Sequence, residues 1–284
     1  MILIADSGST KTDWRLFEKS KNKVYSFSSI GLNPYFVSAK EIAMVCRRVI
    51  PAEMIDKINS VHFYGSGCGS SKPNKSVYNG LNNIFNNATL KVYSDLMGAS
   101  RALFFTSSGV ACILGTGSNA CYFSQGEIKK KATSLGFILG DEGSGSHLGK
   151  LLIKSIYSKK APKEIAHSFE EEFPHIDLQF VLENLYKSSA PNKFLAGFSP
   201  FIYKHRNNEF IRSKIEFSFN EFLDELVLKL LSKDSDVVGF QGSIAYYFQK
   251  EISAVCKNKG LNSILFLKDP VDKLLEYHQK DILN

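Results

Sequence analysis

The chain predicts an α/β protein of two similar domains, with a helical insertion in the second. Three observations point there. Apolar runs of strand length alternate with longer segments whose apolar residues recur at helical spacing. The order strand, strand, strand, helix, strand, helix, strand, helix fills the first hundred or so residues and begins again near Gly109. Each cycle opens on a hairpin whose turn is rich in Gly, Ser and Thr.

In the first cycle, Met1 to Ala5 reads as a buried strand that runs into the turn Asp6-Ser7-Gly8-Ser9-Thr10-Lys11-Thr12. Asp13 to Phe17 and Lys23 to Ile30 give two more strands, and Ala39 to Ile50 has helical periodicity. Val61 to Tyr64 is a strand that exits through Gly65-Ser66-Gly67-Cys68-Gly69-Ser70, and Val77 to Phe85 reads as a helix. Leu90 to Ser94 is a strand, and Asp95 opens a helix through Phe104. In the second cycle, strands are expected at Val110 to Leu114, Asn119 to Phe123 and Glu127 to Ala132. The run Gly140-Asp141-Glu142-Gly143-Ser144-Gly145 opens a helix through Ile156, and helices fill an insertion over about 163–231. Asp236 to Phe240 returns as a strand, Gln241-Gly242-Ser243 turns, and a single helix is expected over Ile244 to Lys257. A strand at Ile264 to Leu267 and a helix at Val271 to His278 close the chain. The boundary falls at Thr106 to Gly109, which gives domains 1–107 and 108–284 facing a cleft.

Composition narrows the class. With 284 residues, 44% hydrophobic and 22% charged, the chain can bury a sizeable core. The net charge of +7 comes from scattered basic residues with no long basic run among aromatics, which argues against nucleic acid and suits a small anionic substrate. Five cysteines, an odd number with no CxxC, argue against a secreted disulfide framework. No apolar run approaches the ~20 residues that span a bilayer. The N-terminus turns polar too soon for a signal peptide, so a cytoplasmic protein with no membrane partner is expected.

The turns carry the chemistry. Small residues at Asp6–Thr12 let backbone N–H and hydroxyl groups approach a phosphate, and Asp6 at the end of the first strand can hold a hydrated Mg²⁺. An ordinary polar hairpin turn is the plainer reading. Leu114-Gly115-Thr116-Gly117-Ser118-Asn119 repeats the pattern, and two such turns at equivalent places can grip one phosphate chain from both sides. Neither is a Walker A loop. The nearest candidate, Gly149-Lys150, has Ser144 where the first Gly is required and Leu151 after the Lys. Asp95 is placed to orient a substrate hydroxyl and accept its proton; equally, Asp or the preceding Ser94 can simply cap the helix. Asp141 and Glu142 among glycines are too polar for a core, although acids also suit a helix N-terminus. Gly242-Ser243 offers bare backbone to a flat nucleoside face, or is a plain strand-to-helix turn. Cys68 has no acid or His tied to it by sequence, and His147, with no second ligand four residues on, reads as a helix-surface or packing residue rather than a metal ligand.

Taken in order, this set resembles the N-acetylglucosamine kinases and their BadF/BadG/BcrA/BcrD-type relatives in the actin–hexokinase–Hsp70 superfamily. Asp6–Thr12 and Gly115–Asn119 resemble the two phosphate motifs, Gln241-Gly242-Ser243 the adenosine motif, and Gly140–Ser144 a sugar-side motif. The resemblance implies two ribonuclease-H-like (actin-like ATPase) domains that close on ATP, Mg²⁺ and an amino sugar. It implies phosphorylation of the 6-hydroxyl of N-acetylglucosamine or another hexosamine such as glucosamine, with a BadF-type ATPase activator as the alternative. Asp95 becomes the base and Asp6 the metal ligand. Gly8, Ser9, Thr10, Lys11, Thr12, Gly115, Thr116, Gly117, Gly242 and Ser243 belong to the nucleotide. Asn33, Ser118, Asn119, Gly136 and Asp141, together with Asp95, belong to the sugar. Gly136 lies in Ser134-Leu135-Gly136-Phe137, where relatives often set an aromatic residue between two glycines. The usual Gly-Gly-Ala-rich C-terminal helix is replaced by Asp269-Pro270-Val271 and a short tail. A homodimer is the default expectation.

Overall fold

The computed structural model describes residues 1–232 and 237–283. The chain divides into two compact units, one of residues 1–107, 125–127 and 269–284, the other of residues 108–124 and 128–268.

The first unit is built on β1 (Ile2–Ser7), whose Leu3, Ile4 and Ala5 are wholly buried. Burial of consecutive residues on both faces explains why this run is continuously apolar rather than alternating. β2 (Lys11–Glu18) runs antiparallel to β1 and β3 (Lys23–Ile30) antiparallel to β2. Helix α1 (Ala39–Val49) starts on a capping box, in which the Ser38 side chain accepts from Glu41 N–H while the Glu41 carboxylate accepts from Ser38 N–H. After the short α2 (Ala52–Ile55), β4 (Ser60–Gly65) adds parallel to β1. Helix α3 (Ser71–Asn82) begins six residues before the apolar periodicity does, because Pro73 falls in the first turn, where no intrahelical N–H partner is needed. β5 (Thr89–Ser94) adds parallel to β4, and α4 (Asp95–Phe104) follows. The sheet order is β3-β2-β1-β4-β5. Trp14, Leu16, Val61 and Phe63 pack with Ile42 and Cys46 of α1 and Val77 and Leu81 of α3 to make the core.

The second unit repeats this plan. β6 (Gly109–Leu114) pairs antiparallel with β7 (Ser118–Ser124), which neighbours β8 (Glu127–Lys131). The helices α5 (Gly136–Leu139), α6 (Gly145–Tyr157), α7 (Lys163–Glu172), α8 (Leu178–Tyr186), α9 (Pro191–Ala196), α10 (Ser199–Lys204) and α11 (Glu209–Phe222) follow, α7 to α11 being the insertion. α11 runs on into a π-helical turn at Leu223–Val227. β9 (Val238–Gln241) returns parallel to β6; Asp236, expected in this strand, lies outside the described residues. α12 (Ser243–Tyr247) and α13 (Gln249–Asn258) replace the single helix expected over 244–257. The break is at Phe248, a buried ring packed against Phe219 and Tyr203 at 5.9 and 5.3 Å. β10 (Ile264–Leu267) completes the order β10-β9-β6-β7-β8. Read from β6 outward, this is the strand order of the first sheet again: antiparallel β7 and then β8 to one side, two parallel strands to the other.

The closing helix α14 (Val271–Leu283) belongs to the first unit, although the sequence reading grouped it with residues 108–268. Val271, Leu274 and Leu275 are buried, and the helix packs on α4, β1 and β2. Arg15 holds Asp272 at 2.6 Å and Lys11 holds Asp269 at 3.1 Å. Among the described residues no helix is long and apolar enough to cross a membrane.

Candidate functional site

In the first unit the phosphate-type turn is narrower than the sequence suggested. Asp6 and Ser7 end β1, Lys11 and Thr12 begin β2, and only Gly8, Ser9 and Thr10 turn, closed by Gly8 N–H to Lys11 O at 3.0 Å. Thr12, expected to touch nucleotide, is fully buried. Its hydroxyl donates to Ile30 O at 2.9 Å and lies 2.8 Å from Ser7 Oγ, which accepts from Leu32 N–H. Thr12 therefore fixes the turn from behind, while Gly8 and Thr10 are exposed. Gly31, which the sequence reading gave no role, backs the same turn: a Cβ there would lie 2.5 Å from Gly8 O and Ser9. Lys11 is held between Asp13 at 2.8 Å and Asp269 at 3.1 Å.

Asp6 is half-buried, and its carboxyl is pushed up to about 7. Burial is the main cause, followed by the negative charges of Asp95, Asp13 and Asp269, with Lys11 opposing. A divalent cation would relieve this crowding. Among the described residues no three His, Cys, Asp or Glu side chains form a ready cage.

Asp95 stands at the first position of α4. Of its two readings, the capping role belongs to Ser94, whose Oγ accepts from Met97 N–H at 3.3 Å. Asp95 Oδ1 accepts from Leu96 N–H at 2.8 Å, so its carboxylate sits in the favourable field of a helix N-terminus. The Cys68 thiol, buried and facing the charge of Asp95, is pushed up to about 12 and holds its proton. Asn33 is buried in a bend. Its Oδ1 accepts from Tyr35 N–H at 3.0 Å, and its amide donates to Ser66 Oγ at 3.4 Å. Gly67, at φ +81°, packs so closely that a Cβ would lie 2.5 Å from Asn33 Oδ1, so the Gly65–Ser70 exit supports Asn33.

In the second unit the turn between β6 and β7 meets the Gly140–Ser146 loop. Gly145 N–H donates to Gly115 O at 2.8 Å, and Ser146 N–H to Thr116 O at 3.1 Å. Asp141, at φ +58°, accepts from Ser118 N–H at 3.2 Å, and a Cβ on Gly117 would lie 2.8 Å from its carboxylate. Burial raises the Asp141 carboxyl, the Ser118 N–H opposes, Glu142 adds to the rise and Lys150 counters it. A cavity of about 650 Å³ opens here, lined by Ser118, Asp141, Glu142, Lys131, Leu135 and Leu226 among others. Ser118 Oγ is buried and has no hydrogen-bond partner among the described residues. Asn119 turns its Oδ1 to Ala120 N–H at 2.9 Å. Gly136, at φ +69°, is exposed, and its neighbours Leu135 and Leu139 line the cavity in its place. Gly242, at φ +117°, lies against the end of β6, where a Cβ would come within 2.5 Å of Leu114 O, and Ser243 is exposed at the start of α12. The second phosphate-type turn and the adenosine-type turn are therefore adjacent.

No protein-family model and no curated protein matches the chain. Solved structures do. A provisionally assigned N-acetylglucosamine kinase from Porphyromonas gingivalis is 38% identical, covering 99% of this chain and 100% of its own, with a TM-score of 0.92. A provisionally assigned N-acetylglucosamine kinase from Chromobacterium violaceum is 14% identical over 97% of this chain and 98% of its own, TM-score 0.73. MreB 5 of Spiroplasma citri, solved with AMPPNP bound, is 11% identical over 99% and 96%, TM-score 0.57. The last two share the fold. At 38% identity over nearly its full length, the chain belongs to the N-acetylglucosamine kinase family, and its fold is that of the actin-like ATPases.

Proposed function

We propose that the protein transfers the γ-phosphoryl group of ATP to an amino sugar, N-acetylglucosamine at its 6-hydroxyl. The observation that carries this reading is the pair Asp6 and Asp95. The charge of Asp95 is close enough to help raise the Asp6 carboxyl, and Asp95 stands at the first position of α4 with its Oδ1 accepting from Leu96 N–H. One acid is raised by burial and then by its neighbours' charges and suits a cation; the other stands at a helix N-terminus and suits a substrate hydroxyl.

Phosphoryl transfer asks little covalent chemistry of a protein and much positioning. The backbone of Gly8, Ser9 and Thr10 in one unit, and of Gly115, Thr116 and Gly117 in the other, offers N–H groups to phosphate oxygens. Gly242 and Ser243 offer backbone to the nucleoside. Mg²⁺ at Asp6 would neutralise charge on the β- and γ-phosphates. Asp95 orients the sugar hydroxyl and takes its proton as the P–O bond forms. Asn33, Ser118 and Asp141 hold the remaining hydroxyls, and the unpartnered Ser118 Oγ supports that assignment. An ATPase activator that shares an iron–sulfur cluster would need accessible thiols, whereas all five cysteines are buried.

The test is coupled ADP release with Mg²⁺ against a panel of hexosamines. N-acetylglucosamine-dependent ADP release with a 6-phosphate product is the expected result. ADP release with none of the sugars would refute the reading.

A further inference from the structure

The second unit holds a buried histidine that none of the roles above uses. His147 lies in the first turn of α6, and its Nδ1 has two neighbours: Ser218 Oγ at 2.9 Å and Gly143 N at 3.4 Å. Gly143 N–H can only donate, so Nδ1 is the acceptor, Ser218 donates to it as well, and Nε2 carries the ring proton. Burial, then Lys150, lowers the imidazole pKa to about 4, so the ring stays neutral and keeps this acceptor at physiological pH.

Both partners matter. Ser218 is fully buried on α11, inside the helical insertion. Gly143 sits within the turn that begins at Asp141, closed by Ser144 N–H to Asp141 O at 3.1 Å. At φ +74° it packs so tightly that a Cβ would lie 2.8 Å from Phe222 Cβ, and Phe222 is also on α11. The insertion thus grips the turn twice, through Phe222 by contact and through Ser218 by way of His147. The Asp141 carboxylate at the other end of that turn accepts from Ser118 N–H and lines the cavity.

We infer that His147 is a positioning residue for the sugar: it transmits the hold of the insertion helix to Gly143 and so fixes where Asp141 stands. This rests on the reading that Asp141 contacts the sugar. A residue that merely fills the core would change stability and leave the two substrates' KM values moving together.

The test compares His147→Leu, which removes the acceptor, with His147→Asn, whose Oδ1 restores one near the Nδ1 position. Steady-state kinetics with N-acetylglucosamine and ATP and thermal melts are run on both. Leaving Gly143 N–H and Ser218 O–H unpaired should raise the sugar KM about tenfold in His147→Leu. The KM for ATP should stay within about twofold, and His147→Asn should recover most of the loss. An unchanged sugar KM, or equal rises in both KM values, overturns the inference. Should His147→Leu fail to fold, Ser218→Ala decides: a sugar KM raised about threefold supports the inference and an unchanged one overturns it. If the wild-type protein turns over no amino sugar, the proposed function fails by itself. Amide hydrogen exchange at Gly143 then still judges the clamp, since faster exchange in Ser218→Ala supports it and an unchanged rate overturns it.

Discussion

Lowering the pH from 7 to 5 should destabilise the first unit through two histidines packed against each other. His62 on β4 and His278 on α14 lie with ring centroids 3.8 Å apart. His278 Nε2 is 2.7 Å from Tyr64 Oη, which accepts from Arg101 Nη1 at 2.8 Å and so has its own proton to give to the imidazole. Burial is the main force keeping both rings neutral. Arg101 and Lys91 add to it, as does His62 for its neighbour, and the pKa values fall to about 4 for His62 and about 3 for His278. Both folded-state values lie below the ordinary 6.5. The unfolded chain therefore takes up more protons as the pH falls through 6.5, and stability declines until the folded-state values are reached. Between pH 7 and 5 each ring costs about 2 kcal/mol, so the pair costs about 4 kcal/mol. Asp6 works the other way. Its carboxyl is raised to about 7, so its burial penalty is largest at neutral pH and is relieved by about 2 kcal/mol at pH 5. The net loss is then about 2 kcal/mol in the wild type and about 4 kcal/mol in Asp6→Asn, while His278→Asn should lose about half of the histidine contribution. Trp14 is the chain's one tryptophan and is fully buried in this unit, so its fluorescence during urea unfolding reports the right transition. An Asp6→Asn midpoint that does not move between pH 7 and 5 would refute the reasoning.

Three further outcomes are expected. Asp95→Asn should lower kcat by roughly 10²–10⁴-fold and leave the KM for ATP nearly unchanged, as steady-state kinetics would show. Gly242→Ala must adopt φ +117° with a Cβ against Leu114 O. A stability loss of about 2 kcal/mol or more, seen by urea titration, should accompany weaker ATP binding by calorimetry. Thr12→Val leaves the Ser7 hydroxyl without its neighbour and Ile30 O without its donor, and should shift the Trp14 unfolding transition by about 1–2 kcal/mol.

The strands were legible because burial writes itself into composition: β1, β4, β6 and β9 are apolar runs bounded by small turn residues. Helix α3 hid its first six residues, since Ser71-Lys72-Pro73-Asn74-Lys75-Ser76 has no periodicity to read and its Pro is tolerated for want of a partner. The split between α12 and α13 depends on where the Phe248 ring packs, which local pattern does not encode. At the site, small-residue turns and lone acids stood out, yet their division of labour did not. Ser94 and Asp95 are equally good caps on paper, and only the hydrogen bond to Met97 separates them. Thr12 looked like its exposed neighbour Thr10 because a hydroxyl's direction is set by strand pairing, here with Ile30 at hand from β3. Gly31 carried no signal, and His147 could be read only as a surface or packing residue, as each works through a contact with a distant segment.

The return of α14 to the first unit sets the order in which that unit can be finished on the ribosome. Its sheet is complete once Ser94 has emerged, but the strip of β1, β2 and α4 that Val271 and Leu274 cover has no lid until more than 160 further residues have been translated. Until then that apolar strip faces water or a chaperone. The half of the molecule that is made first is the half that is sealed last.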